Sequence, residues 1–228
     1  MEIIRLKSGN ISAAGIKRIR DVLKNDGLVI FPTDTVYGLA GNAGSSFALE
    51  KIYKLKKRPK DKPFIIFVPD IDSLNKLKIK FVPKIKKLLN VFWPGAVTFI
   101  FRKIPLNPPF SKGERGGFKR SETIAVRIPG HPVVLAILKE FNGPLVVTSA
   151  NISGKEAPIY FKQIDAEILK NTDIAVDEGI CRFGVVSTIV DVSEKELKIL
   201  REGAVPKEKI IEIWGELNGE KGKSFKES

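Results

Sequence analysis

Gly27-Leu28-Val29-Ile30-Phe31 runs into Pro32-Thr33-Asp34-Thr35-Val36-Tyr37-Gly38-Leu39: an apolar run, a proline, then two threonines around an aspartate. Five consecutive apolar or small residues read as a short buried strand. Pro32 cannot donate to a sheet ladder and marks its end. Open α/β sheets gather ligands at the carboxyl ends of strands, so small polar side chains here are candidates for a site. The alternative is a polar turn or helix cap made by Thr33, Asp34 and Thr35.

Working outward, Glu2 to Leu6 reads as a strand and Ser12 to Asn25 as an amphipathic helix with Ile16, Ile19, Val22 and Leu23 on one face. Gly41 to Gly44 reads as a turn, followed by a helix capped by Ser45 or Ser46. Strands are expected at Pro63–Val68, Ala96–Phe101, Thr123–Pro129, Leu145–Val147, Ile174–Val176, Ser187–Val192 and Leu197–Leu200. Helical stretches fall at Ile71–Leu77, Pro83–Phe92, Val133–Phe141 and Pro206–Trp214. One domain over residues 1–214 is expected, with residues 215–228 as a disordered tail. Residues 104–120, with three prolines and three glycines, read as a mobile surface loop.

The chain of 228 residues is 43% apolar, enough for a substantial core. No apolar run approaches the roughly 18 residues of a membrane span, and the amino terminus lacks a signal-peptide plan. A single cysteine, Cys181, excludes an intrachain disulfide framework, and a soluble cytoplasmic protein is expected. Lys and Arg exceed Asp and Glu by 39 to 26, giving +13 and a field that attracts phosphates, unless it serves solubility alone. One histidine and one cysteine leave no zinc-ligand spacing and no Ser-His or Cys-His couple without His131, which reads as a helix-entry residue. Chemistry without a protein nucleophile or a protein-held metal is therefore expected.

Three further stretches carry candidate site residues. Lys54 to Lys62 holds six cations in nine residues, with Pro59 inside it and Pro63 closing it. Helix-end cations gain from the dipole, but this density also suits Lys56, Arg58 and Lys62 around a polyphosphate. Arg127 lies in an apolar strand and needs an anion. That anion is either a buried carboxylate of the protein or a substrate carboxylate or phosphate gripped by two parallel bonds. Thr148-Ser149-Ala150-Asn151-Ile152-Ser153-Gly154 places hydroxyls, an amide and a glycine turn at a strand end, an anion-binding concavity. Neither a Walker-type phosphate loop nor a dinucleotide fingerprint is present.

These stretches, with Trp93-Pro94-Gly95-Ala96-Val97-Thr98, Ser187-Thr188-Ile189-Val190-Asp191 and Leu200-Arg201-Glu202-Gly203, resemble the YrdC-like family of threonylcarbamoyl-AMP synthases. The resemblance runs in the family's order from about residue 10 to 214. It implies an α/β fold, an open twisted mixed sheet flanked by helices around a basic cavity. It implies a nucleotidyltransferase that makes threonylcarbamoyl-AMP and pyrophosphate from L-threonine, bicarbonate or CO2, and ATP with Mg2+. The product would feed a downstream threonylcarbamoyl transferase complex that modifies the tRNA adenosine beside the anticodon. It also implies L-threonine near Thr33, Arg127, Thr148 and Ser187, and ATP near Lys56, Arg58, Thr123, Ser149, Asn151 and Arg201. Val186 stands where the family often has proline or glutamate. A chain ending near residue 228 is expected to lack the extra carboxyl-terminal domain of longer members. Two rival readings stand beside this one. One is a binding module for double-stranded RNA or tRNA without catalysis, and the other is a carbamoyl-transferring or hydrolytic relative.

Overall fold

The computed structural model describes residues 1–6, 9–59, 64–102 and 123–219. Among these residues ten strands form one mixed sheet: β1 (Glu2–Arg5), β2 (Val29–Phe31), β3 (Gly38–Asn42), β4 (Ile65–Phe67), β5 (Val97–Arg102), β6 (Thr123–Arg127), β7 (Leu145–Ser149), β8 (Ile174–Asp177), β9 (Thr188–Asp191) and β10 (Lys198–Arg201). Their order across the sheet is β1-β8-β2-β3-β7-β4-β6-β5-β9-β10. Among the described residues seven α-helices flank it: α1 (Ala13–Lys24), α2 (Ser46–Lys56), α3 (Ser73–Lys76), α4 (Pro83–Phe92), α5 (Pro132–Phe141), α6 (Ala166–Lys170) and α7 (Lys207–Leu217). None of the helices described is long and apolar enough to cross a membrane.

The period-two alternation of strands distributes side chains to two cores. Val29 and Phe31 of β2, Leu145 and Val147 of β7, and Ile174 and Val176 of β8 pack with α1 and α5. Their sequence neighbours Ile30, Val146 and Ala175 turn to the opposite face, where α2, α4, α6 and α7 supply Ile52, Leu88, Leu89, Ile168 and Ile210. Ser12 and Ser45 cap α1 and α2, accepting from Gly15 N and Ala48 N at 3.1 Å each. Arg20 of α1 pairs with Glu140 of α5 at 2.5 Å, tying the two helices of the first face together.

Helices α1 and α5 cover only part of their face. Among the described residues, Ile65 of β4, Ala125 of β6, Ile100 of β5 and Ile189 of β9 border a cavity, and the register lines up its side chains. Val147 stands opposite Ile65, Ile65 opposite Ala125, and Ala125 opposite Ile100. These residues are the floor of the cavity described below, so the site begins where the helical cover ends.

Two expectations are corrected. Gly41 to Gly44 is not wholly a turn, because β3 runs through Asn42 between β2 and β7. A Cβ on Gly41 would meet Ala48 Cβ at 3.2 Å and Leu28 Cδ2 at 3.3 Å. Glycine is there because α2 packs directly on this strand, and burial of β3 on both faces removes the alternation that would have revealed it. The last helix continues through Leu217, beyond the expected end at Trp214, since Ile213, Trp214 and Leu217 still pack on the core. The 104–120 loop and the end of the tail lie outside the described residues.

Candidate active site

Thr33 makes the turn after β2. Its hydroxyl donates to Val36 O at 2.7 Å and accepts from Thr35 N at 3.0 Å and Val36 N at 3.2 Å. One hydroxyl has one proton, so its 2.9 Å contact with Thr35 Oγ1 is a bond donated by Thr35. Thr35 Oγ1 in turn accepts from Arg127 Nη1 at 2.9 Å. A one-directional chain of donors thus runs from Arg127 through both threonines to the backbone.

Arg127 takes the first of its two possible anions. Its Nη2 donates to Asp34 Oδ1 at 2.6 Å, and its Nε donates to Gly95 O at 2.9 Å. Both ion-pair side chains are buried, at 3% and 2% exposure. The guanidinium is held by Asp34, Thr35 and Gly95, so of the two anions that the sequence left open the protein's own carboxylate is the one in contact. Five N–H groups less three leave two for anything in the cavity. Burial pulls the Arg127 pKa below its ordinary value, against the support of Asp34.

Across the cavity, Arg201 donates from Nε and Nη2 to Ser187 O at 3.1 and 2.8 Å, and from Nη2 to Ser187 Oγ at 3.3 Å. The Ser187 hydroxyl also meets Thr98 Oγ1 at 2.8 Å. Arg201 reaches no carboxylate among the described residues, and burial, then the nearby Arg127, lowers its pKa. Two guanidiniums face one space with one internal counter-charge between them. The electrostatics call for an anionic ligand.

Thr188 Oγ1 holds the loop beyond Arg201, accepting from Gly203 N at 3.0 Å and Val205 N at 3.1 Å. Gly203 packs so closely that a Cβ would meet Val186 O, then Ser187 C at 2.6 Å and Ser187 O at 2.8 Å. Backbone cannot swing aside as a flexible side chain does. Gly203→Ala should therefore cost about 1–3 kcal/mol of stability and displace Ser187. Urea unfolding checks the first effect. A variant as stable as the parent, with unchanged ligand affinity, would show that the loop yields freely.

Lys56, at the end of α2, supports the cavity from behind. Its ammonium donates to Ser149 O, to Asn151 O at 2.6 Å and to Asn151 Oδ1 at 3.2 Å. Three hydrogens meet three acceptors, so it has no donor left for a phosphate. Burial, then the Arg58 charge, pulls its pKa down to about 7, while the three acceptors favour the charged form. The clamp sets the turn after β7, whose Ala150 N donates to Tyr37 O at 2.8 Å.

A cavity of about 240 Å³ results. It brings together Thr33, Arg127, Thr148 and Ser187, and with them Arg58, Ser149 and Arg201. Lys56, Asn151 and Thr123 are not among its lining residues. Asn151 instead braces the turn, donating to Lys155 O at 2.6 Å, and Thr123 lies at the far end of β6 opposite Arg102. Lys62 lies outside the described residues.

Arg58 lines the cavity with its guanidinium 5.1 Å from the Phe64 ring centre. No Asp or Glu lines it among the described residues, while Ile65, Ala125, Ile100 and Ile189 give an apolar floor. A second hollow of about 620 Å³ beside α4 and α7 mixes Lys80, Lys84 and Arg102 with Glu194 and Glu196, and so lacks convergent charge.

Sequence reasoning passed over three parts of this site. Asp34 as the partner of Arg127 and the Gly95 carbonyl carry no local signal of that role. Thr98 carries a faint one, a lone hydroxyl in an apolar strand. His131 is the N-cap residue of α5, as expected, and meets Glu178 Oε2 at 2.6 Å. Cys181 is buried, and burial pushes its thiol up to about 11, so it is no nucleophile at neutral pH. No group of three or more metal-ligating side chains occurs among the described residues.

Residues 21–203 match the family profile Sua5_yciO_yrdC, described as telomere recombination. The chain is 37% identical over 205 residues to a threonylcarbamoyl-AMP synthase of Bacillus subtilis, covering 89% of this chain and 57% of that protein. It is 35% identical over 201 residues to a putative threonylcarbamoyl-AMP synthase of Methanocaldococcus jannaschii, covering 85% and 90% respectively. Among solved structures, Pyrococcus abyssi Sua5 complexed with L-threonine superimposes with a TM-score of 0.80 at 32% identity, covering 96% of this chain and 61% of that one. The chain thus spans little more than half the length of its Bacillus and Pyrococcus relatives.

Proposed function

The chain belongs to the Sua5–YciO–YrdC family, and from that premise we propose that it joins L-threonine, bicarbonate or CO2, and ATP into threonylcarbamoyl-AMP, releasing pyrophosphate. The observation that carries the reading is the composition of one small cavity. Arg58, Arg127 and Arg201 meet Thr148, Ser149 and Ser187 there, over an apolar floor and with no lining carboxylate or thiol among the described residues. The L-threonine bound to the Pyrococcus relative supports threonine as the amine.

The steps need positioning and positive charge rather than a protein nucleophile. Threonine nitrogen adds to CO2, its proton leaves to solvent, and a carbamate forms. A carbamate oxygen attacks the α-phosphorus while the bond to the β-phosphate oxygen breaks, so pyrophosphate carries away the electron pair. The two remaining N–H groups of Arg127 face the substrate carboxylate, with Thr148 and Ser187 beside it. Arg58, Arg201 and Ser149 hold phosphate oxygens. Lys56 and Asn151 act behind them by fixing the Ser149 turn. Mg2+ fits as an ion carried by ATP, since it binds through phosphate oxygens and water with few protein ligands, and these residues offer hydroxyls without a carboxylate cluster. When bound it neutralises phosphate charge.

The product is a mixed anhydride and calls for an acceptor amine, which the tRNA adenosine of a downstream threonylcarbamoyl transferase complex supplies. ATP dependence and the single cysteine support a cytoplasmic setting. A double-stranded RNA module acting through the cavity is disfavoured, because a duplex does not enter a space of about 240 Å³ in which Arg127 is buried.

Exchange of labelled pyrophosphate into ATP tests the proposal. It should require threonine and bicarbonate together, and exchange indifferent to threonine would overturn the reading. Arg58→Ala should weaken ATP binding by about 1.5–3 kcal/mol, the range for hydrogen bonds to charged groups. Calorimetric affinity equal to the parent's would remove Arg58 from the phosphate site.

A further inference from the structure

Thr33 and Thr35 both line the cavity, but their hydroxyls differ in what they can still bind. A hydroxyl has one proton to give and two lone pairs to receive with. Thr33 Oγ1 gives its proton to Val36 O at 2.7 Å and already meets Thr35 N, Val36 N and Thr35 Oγ1. It has no capacity for a ligand. Thr35 Oγ1 gives its proton to Thr33 at 2.9 Å and accepts from Arg127 Nη1 at 2.9 Å. One lone pair remains there, and no other donor among the described residues meets it. Because the chain of donors runs one way, this oxygen accepts and cannot donate. It suits an N–H or O–H of the ligand, not an anion.

No Asp or Glu lines the cavity among the described residues. Arg127 and Arg201 do, and Asp34, 2.6 Å from Arg127, is their internal counter-charge. A substrate carboxylate on Arg127 supplies the second negative charge. An ammonium would then enter with no anion of its own, and burial beside two guanidiniums disfavours it. The charged or titratable groups around this space are Arg58, Arg127, Arg201 and Tyr37 on its walls, with Asp34, Lys56 and Cys181 behind them.

Resting on the reaction proposed above, we infer that the cavity binds L-threonine as its free amine, with Thr35 Oγ1 accepting an amine N–H beside the carboxylate held by Arg127. Amine and carboxylate are neighbours on one Cα, and the acceptor Thr35 Oγ1 adjoins the donor Arg127 in the same way. The free amine keeps the nitrogen lone pair that an ammonium has lost. That pair forms the bond to the CO2 carbon, a C=O pair moves to oxygen, and one proton leaves the nitrogen for solvent. The carbamate nitrogen retains a single N–H, which stays on Thr35. Binding itself selects the nucleophile, so no side chain has to strip an ammonium inside the cavity.

Calorimetry of the full chain without ATP or bicarbonate tests this, using L-threonine and 3-hydroxybutanoate, the same acid without its amine. At neutral pH, in buffers of different ionisation enthalpy, threonine should release about one proton per molecule bound and 3-hydroxybutanoate none. The threonine Kd should fall about tenfold for each unit of pH below the amine pKa. The amine-free acid corrects for titration of Lys56 or any other protein group. Thr35→Val should weaken threonine about two- to tenfold, the range of a neutral hydrogen bond, and change 3-hydroxybutanoate little. Thr35→Ser keeps the oxygen and should keep the difference between the two ligands. Proton release by the unsubstituted chain does not depend on whether Thr35→Val folds. Threonine bound without proton release, undiminished threonine affinity in Thr35→Val, or equal loss of both ligands there would each overturn the inference, while pyrophosphate exchange would leave the reaction standing. A chain that binds no threonine would overturn both.

Discussion

Asp34→Ala should destabilise the protein by about 3–5 kcal/mol, the cost of stripping one partner from a buried ion pair. Arg127 is 3% exposed, and its guanidinium would be left with Thr35 and Gly95 O as its partners. The denaturant midpoint should fall while its slope holds. Arg127→Met in the Asp34→Ala background should recover part of the loss, because the stranded charge is then gone. A single variant within about 1 kcal/mol of the parent would refute a dry, buried pair, since water would then be replacing Asp34 beside the guanidinium.

Arg127→Lys should lower threonine-dependent formation of the adenylate by roughly tenfold or more, about 1.4 kcal/mol of lost interaction. The charge survives but the planar fork does not. An ammonium has three hydrogens, and Asp34 Oδ1, Thr35 Oγ1 and Gly95 O already require three donors. Nothing is left for a substrate carboxylate. The affinity for ATP alone should change little, because Arg58, Ser149 and Arg201 are untouched. Full threonine-dependent activity in the variant would reduce Arg127 to scaffolding. Selective loss of ATP affinity would move it to the phosphate side.

Both outcomes depend on one pairing that local sequence left open. Arg127 in an apolar strand announced that an anion was needed, and the residues around it left both candidates open. Asp34 is 93 positions away. β2, which leads to Asp34, and β6, which carries Arg127, run antiparallel to each other across the sheet, and only the assembled sheet brings the turn after β2 to the Arg127 guanidinium. Lys56 is a comparable case. Its density among cations pointed to phosphate, whereas burial beneath the β7 turn gave its hydrogens to Ser149 and Asn151. Asn151 itself followed, since its amide serves the turn. Arg58, Ser149, Ser187 and Arg201 needed less correction, as each sits at or just beyond the end of a secondary-structure element.

What the sequence alone determined was local: which runs alternate, where a proline or glycine halts them, and which hydroxyls and cations stand at those ends. The boundaries of α4 and most strands follow from that pattern, because burial of one face imposes a period that the residues must obey. Gly38–Asn42 lacked the pattern, since a strand buried on both faces has no polar side to alternate with. The tertiary structure decided the partners. Sheet order set Arg127 against Asp34, laid Ile65, Ala125 and Ile100 side by side as a floor, and kept α1 and α5 from covering it. Charge pairs and cavity walls are contacts between elements distant in sequence. Their geometry is fixed by the order in which strands pair, a property that no single stretch of the chain contains.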